Sequence, residues 1–433
     1  MSNRIALSTP AEEALFRRIR TRIAPLLVVL YLVAFLDRVN ISFAALTMNR
    51  DLGIGDRVFG WGAGIFFIGY LVFAVPANMA LERLGVRRWI ATIMVVWGLV
   101  SAAMAFVPNS ALYLVFRFLL GAAEAGFFPG IILYMTFWLP ERARARVNAL
   151  FILAVPLANV LGAPASTWIL RHASAHVHRL HPWQVLFLVE ALPAILLGLL
   201  VPVLMSESPQ NVAWLSGEEK ATLAAALAAD MAKTPSLPGG LSAREMMKQM
   251  LATPGVLTIC AINFAFAMGL YALGFWVPKI LTARGVPLAA LGWWTAAPFA
   301  FGALGMLAAA ASSDRSGERR WHMTVTFAIG AAGLTLCALS HSSFGAVAGL
   351  SIAAVGVFGI MPILWTAAPA RMPAATRAIG IAFVNGFGNV GGFLGPVMIG
   401  SVLQHTGSYV AGLLVTAAAL VAGGTLAMAT VRR

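Results

Sequence analysis

The chain is 433 residues long, 60% hydrophobic and 11% charged, with a mean hydropathy of +0.85 and a formal net charge of +14. A soluble domain carries about 25% charged residues, so the composition excludes a soluble globular protein and predicts a polytopic, all-α membrane protein. The basic residues fall between apolar segments, which points to membrane orientation and to no nucleic-acid partner.

Met1 to Arg22 is polar and basic, and the stretch that follows is too long and too charged for a signal peptide. Twelve spans are predicted, at 22–46, 58–81, 89–108, 111–139, 146–170, 183–205, 254–282, 289–312, 322–341, 344–369, 377–404 and 408–430. Between the sixth and seventh lies a polar segment containing Ser208-Pro209, a helix candidate from Gly217 to Lys233, and Pro235, Pro238, Gly239 and Gly240. This predicts an N-terminal six-helix half (1–205), a cytoplasmic linker (206–253) and a C-terminal six-helix half (254–433). Lys and Arg outside the spans divide 22 to 6 in favour of the side carrying both termini, which predicts cytoplasmic termini. The two cysteines, Cys260 and Cys337, lie in apolar stretches and imply no disulfide framework, metal or thiol chemistry. His172, His176, His178 and His181 cluster after the fifth span, but no nearby carboxylate or thiol completes a metal site, so a solvated loop is expected.

The chain repeats itself. Glu82-Arg83-Leu84-Gly85-Val86-Arg87-Arg88-Trp89 matches Asp314-Arg315-Ser316-Gly317-Glu318-Arg319-Arg320-Trp321 at an offset of 232 residues, and Gly60-Trp61 matches Gly292-Trp293 at the same offset. Both motif copies follow the second span of their half. A parallel repeat places a binding site where the halves meet, near the midplane.

Charges inside spans carry the functional signal, since each costs roughly 2.5–3.5 kcal/mol at the bilayer centre. Asp37 and Arg38 are adjacent and point about 100° apart around a helix. Arg117 and Glu124 stand two turns apart on one helix face, with small residues Gly121, Ala122 and Ala123 between them. Arginine binds both oxygens of a carboxylate with its planar fork. A carboxylate in a partly dry site takes a proton more readily than one in water. With Asp37 and Glu124 ionised, the four charges sum to zero. Protonation of either acid would free an arginine for a substrate anion. The plainer alternative is that Asp37–Arg38 and Arg117–Glu124 are packing ion pairs, or that Asp37 only positions Arg38.

These residues resemble the major facilitator superfamily. The repeated loop is similar to its cytoplasmic gate motif, here Glu82, Arg83, Gly85 and Arg88, then Asp314, Arg315 and Gly317. Asn78 and Ala310 stand where the pattern has glycine, and Glu82 where it has Asp. Leu36-Asp37-Arg38-Val39-Asn40, Gly69-Tyr70, Val75-Pro76-Ala77-Asn78 and the run from Arg117 to Gly130 resemble the anion:cation symporter branch, which includes tartrate, phthalate, hexonate and vesicular glutamate transporters. Asn385-Gly386-Phe387-Gly388-Asn389 adds a likeness to bacterial tartrate or hydroxycarboxylate transporters. The resemblance implies a monomeric, proton-coupled importer of a small organic anion in a bacterial inner membrane, without a cofactor. Arg38 and Arg117 would contact substrate, and Asp37 and Glu124 would carry protons.

Tyr70 could bond a substrate hydroxyl or a neighbouring helix. Asn385 could face substrate or a helix, with Asn389, Asn159 and Asn263 as weaker candidates. Trp365 could wall the cavity or pack in the core, and Glu190 is a third candidate proton site. Pro129 and Pro156 suit helices that bend. An enzyme is not expected: no His-Glu-x-x-His helix and no Gly-x-Ser-x-Gly elbow occurs. Other readings left open are a non-transporting sensor, a drug or sugar transporter, aromatic carboxylates as cargo, and sodium-coupled or uncoupled anion movement.

Overall fold

The computed structural model describes residues 9–176, 179–233, 245, 248, 251–253, 255–370, 372 and 377–431. His178 and, among the residues counted for orientation, Arg4, Arg244, Arg371, Arg432 and Arg433 lie outside these, as do linker residues Pro235 to Gly240.

The described residues are helical and contain twelve helices or helix pairs long and apolar enough to cross a membrane. The first crossing joins α1 (Pro10–Val39) to α2 (Ile41–Asp51). Then follow α3 (Asp56–Leu84), α4 (Val86–Ala103), α5 (Ser110–Glu124) with α6 (Phe127–Trp138), α7 (Glu141–His176) and α8 (Pro182–Leu204). Helix α9 (Gly217–Lys233) lies in the linker where composition predicts it. The last six crossings are α10 (Val256–Ala283), α11 (Leu288–Ser316), α12 (Arg320–Leu339), α13 (Ser343–Ala370), α14 (Arg377–Thr406) and α15 (Tyr409–Thr430).

Two crossings differ from the sequence expectation. Helix α1 starts twelve residues before the predicted apolar stretch. Thr9 and Glu12 cap it reciprocally, Glu12 N–H donating to Thr9 Oγ1 at 3.2 Å and Thr9 N–H to Glu12 Oε2 at 3.0 Å. Leu15, Phe16, Ile19 and Ile23 then form a buried stripe at helical spacing. The fourth crossing is broken at Ala125-Gly126. Pro129 lacks the N–H that would bond the Ala125 carbonyl, and its ring crowds that same carbonyl. Glu124 therefore sits at the end of a helix rather than inside one.

Close approaches and polar contacts between the first and last six crossings run from the middle of the molecule to the end opposite the termini. Helices α3 and α14 meet almost backbone to backbone: a Cβ on Gly60 would lie 2.5 Å from the Pro396 carbonyl oxygen, and one on Gly64 would lie 2.6 Å from that of Phe393. Glycine supplies the missing volume there. Helix α11 packs on α7 through Gly292 beside Pro164 and Thr167. Lys279 pairs with Asp56 and stands 4.8 Å from the Phe59 ring and 5.3 Å from that of Trp276. Nearer the start of α1, Leu71 lies 3.6 Å from the position of a Cβ on Gly386. Beyond it Val72, Val75 and Met79 are exposed. Among the described residues, the close approaches between the two sets of crossings gather toward the far end, called the seal below.

Candidate functional site

Four charged side chains of the spans gather just beneath the seal, and neither packing pair the sequence suggested forms: Arg38 pairs with Glu124, while Asp37 and Arg117 have no charged partner bonded to them. Arg38, near the end of α1, donates from Nη2 to Glu124 Oε2 on α5 at 2.5 Å. Its side chain is 12% exposed, whereas that of Glu124 is 1% exposed. Arg38 Nε and Glu124 Oε1 have no protein partner. The C-terminal carbonyls of α1 favour the Arg38 cation, and those of α5 oppose the Glu124 anion. The Arg38 guanidinium also lies 4.7 Å from the Phe35 ring and 4.9 Å from that of Phe66, and it neighbours the Tyr271 hydroxyl of α10.

Arg117 does not pair with Glu124, and it does not share the partly open face of Arg38. It is 1% exposed, donates from Nε to the Gly62 carbonyl of α3 at 2.9 Å, and leaves Nη2 without a partner. Phe66 separates the two arginines, its ring 5.3 Å from the Arg117 guanidinium carbon, and Phe275 covers Arg117 at 6.0 Å. Small residues permit this arrangement: a Cβ on Gly121 would lie 1.8 Å from the Phe66 carbonyl oxygen, and one on Gly69 would lie 2.1 Å from that of Phe118.

Asp37 turns away from Arg38. It is fully buried and accepts hydrogen bonds from Ser101 of α4 and from Asn40 Nδ2, the latter at 3.2 Å. Tyr70 is half-buried on the Arg38 side, its ring 6.5 Å from that of Phe66. Asn385, Asn389 and Trp365 are half-buried in the last six crossings, with Trp365 packed against the core. Asn263 ties α10 to α14 by donating to the Val384 carbonyl at 2.9 Å, and Asn159 donates to Val155 within its own helix. Glu190 accepts from Ser166 at 2.6 Å.

In the loop motifs, Gly85 and Gly317 end their helices at φ +76° and +68°, a region that glycine enters without strain. Glu82, Arg83, Arg88 and Arg315 are exposed, and Asp314 pairs with Arg319 at 2.7 Å. Among the described residues no group of His, Cys, Asp and Glu could hold a metal. His181 is more than a solvated loop residue: it pairs with Asp51 at 3.0 Å and caps α8. The side chain of His176 lies outside the description.

Sequence reasoning missed Phe66, Tyr271, Phe275 and Ser101. Tyr271 carried a usable signal, as one of six tyrosines and a polar group deep in an apolar span. The phenylalanines carried none, being indistinguishable from the other residues that fill the core.

Twelve crossings around a buried charge cluster define an integral membrane transport protein. The chain belongs to the Major Facilitator Superfamily, whose family model matches residues 27–396 and again 259–433. It is therefore a transporter and not an enzyme. A protein of Agrobacterium vitis named "Putative tartrate transporter" is 42% identical over 97% of this chain and 92% of its own length. A "Quinolone resistance transporter" of Acinetobacter baumannii is 35% identical over 93% of this chain and 91% of its own. Among solved structures, a bacterial homologue of the human lysosomal transporter Spinster superposes with a TM-score of 0.72 at 18% identity, covering 98% of this chain and 96% of the other, which is a likeness of fold.

Proposed function

We propose that the protein imports a small organic anion, a hydroxycarboxylate such as tartrate, by proton symport across a bacterial inner membrane. Both termini are cytoplasmic, and the halves 1–205 and 254–433 rock about the site as a monomer, the 206–253 segment joining them. On this reading the structure is inward-facing and the outer path is closed. The observation that carries the reading is the Arg38–Glu124 pair: a partly open arginine held by a buried acid, at the depth where the seal ends. Protonation of Glu124 removes the counter-charge and frees the guanidinium fork for a substrate carboxylate. The exposed loop motifs, Glu82, Arg83, Gly85 and Arg88 with Asp314, Arg315 and Gly317, would close the cytoplasmic side in the other state. Tyr70, Asn385 and Trp365 would line the path, and Asp37 and Arg117 would act from behind it. The relative named for tartrate supports the substrate class.

A second reading has an observation of its own. Phe35, Phe66 and Tyr271 surround the Arg38 guanidinium, a setting that also suits an aromatic carboxylate. Uptake of radiolabelled tartrate and benzoate into proteoliposomes, with and without an inward proton gradient, separates the two. Gradient-driven tartrate uptake that Glu124→Gln abolishes, with counterflow retained, is the expected result. Wild-type uptake indifferent to the gradient would sink proton symport.

A further inference from the structure

Asp37 and Glu190 belong to different helices and were read separately from the sequence, yet the fold joins them. Helix α1 breaks at Asn40, and the Asn40 side chain, 1% exposed, lies between the two acids. Its amide nitrogen donates to Asp37 Oδ1 at 3.2 Å, and the side chain neighbours Glu190 on α8. Ser101 of α4 donates to Asp37 Oδ1, and Ser166 of α7 donates to Glu190 Oε1 at 2.6 Å. Three oxygens in this cluster, Asp37 Oδ2, Asn40 Oδ1 and Glu190 Oε2, are buried with no partner. Ionised carboxylates only accept, so the cluster holds more acceptors than donors. Leaving a buried acceptor unsatisfied costs about 1–3 kcal/mol.

We infer that Asp37, Asn40 and Glu190 form a proton-binding site of their own, apart from the Arg38–Glu124 pair, that retains one proton between the two acids. A proton on either acid turns one orphaned acceptor into a donor and relieves the repulsion of two carboxylates sharing a site. The charged groups around the cluster agree. Asp37 feels Arg117 and Glu124 from α5, Glu190 feels Asp37, and Arg38 is engaged by Glu124. Neither acid therefore has an arginine pair. With Glu190 counted, the three acids Asp37, Glu124 and Glu190 outnumber the arginines Arg38 and Arg117 by one charge, and one retained proton restores neutrality. The proton comes from water and returns to it, with an O–H bond formed at Asp37 Oδ2 or Glu190 Oε2 and broken on release.

The test reads protonation directly. Infrared difference spectra of the purified protein in light and heavy water report the C=O stretch of a protonated carboxylic acid. The expected result is a band at neutral pH that Asp37→Asn and Glu190→Gln each reduce and that persists in Glu124→Gln. Ser166→Ala keeps both acids and is expected to move the band by removing one hydrogen bond; it also answers the question should Glu190→Gln fail to fold. Absence of the band in the wild type, a band indifferent to both acid substitutions, or a cluster that responds to sodium instead of pH would overturn the site. The proton's use in transport rests on the symport reading. There Glu190→Gln is expected to shift the pH profile of tartrate uptake. A band as expected with wild-type uptake indifferent to the gradient would refute the coupling and leave the site standing.

Discussion

A methyl group at Gly60 should act on one conformation only. Its Cβ would lie 2.5 Å from the Pro396 carbonyl oxygen and 3.2 Å from Gly400 Cα, against the 3.4 Å at which ordinary contact begins. Both obstacles are backbone, so no rotamer change relieves them, and α3 and α14 must part by about 0.9 Å to admit the group. Overpacking of this kind costs roughly 1–3 kcal/mol. The cost falls on the sealed state alone, because separating the halves removes the clash. At about 1.4 kcal/mol per tenfold, Gly60→Ala shifts the balance by roughly 5- to 140-fold toward the state in which these helices part, which is outward-open on the proposed orientation. Val39 reports the change: it is 6% exposed beneath the seal and faces Gly274 across the halves. Val39→Cys, in a chain whose buried Cys260 and Cys337 are replaced by serine, should react with a membrane-impermeant thiol reagent from outside, and faster when Gly60→Ala is added. Gly121→Ala is the contrast. Its methyl would meet the Phe66 carbonyl oxygen at 1.8 Å, inside the first six crossings. It should lower thermal stability and leave outside labelling alone. An unchanged labelling rate in Gly60→Ala, or equal effects of the two alanines, would refute the reading of the seal.

Two further substitutions probe single contacts. Arg38→Lys keeps the charge and loses the fork; with about 1.5–3 kcal/mol for a charged hydrogen bond, tartrate uptake should fall by roughly 10- to 140-fold, and wild-type rates would argue against a bidentate contact. Asp56→Asn removes the counter-charge of Lys279 at the partly exposed rim of the seal. The pair is worth about 1 kcal/mol or less, so outside labelling of Val39→Cys should rise by at most about fivefold, and a fall would show that the pair opposes closure.

How far the sequence speaks to this molecule depends on what the signal measures. Hydropathy reports the environment of each segment, which is why the twelve crossings are legible, and turn residues flanking an alanine-rich amphipathic piece mark helix α9. Charges inside spans marked Asp37, Arg38, Arg117 and Glu124 by cost alone. Their partners were not legible. Helical periodicity fixes which residues share a face of one helix, as Arg117 and Glu124 do, but it does not say which helix that face meets. Glu124 reaches Arg38 because the fourth crossing breaks at Ala125-Gly126 and α3 approaches α5 through Gly62, Gly69 and Gly121, a consequence of volumes on three helices at once. The Asp37–Asn40–Glu190 cluster was hidden for the same reason, since α1, α4, α7 and α8 all contribute to it.

Arg117 gives a last prediction of opposite sign to Gly60. In the sealed state it is 1% exposed, held by one carbonyl and two aromatic faces, with Nη2 unpaired and no carboxylate bonded to it. An unpaired buried donor costs about 1–3 kcal/mol, and replacing a buried ionic group by an apolar one of similar size is often stabilising. Opening the outer seal would bring water to the guanidinium and relieve that cost, so Arg117 favours the outward-open state. Arg117→Met should therefore stabilise the sealed state, lowering outside labelling of Val39→Cys by roughly 5- to 140-fold and raising the melting temperature while uptake falls. Combined with Gly60→Ala, the two shifts should largely cancel. Faster labelling in Arg117→Met would mean that the arginine holds the seal closed through Phe66 and Phe275, and that its burial is a net gain rather than a cost.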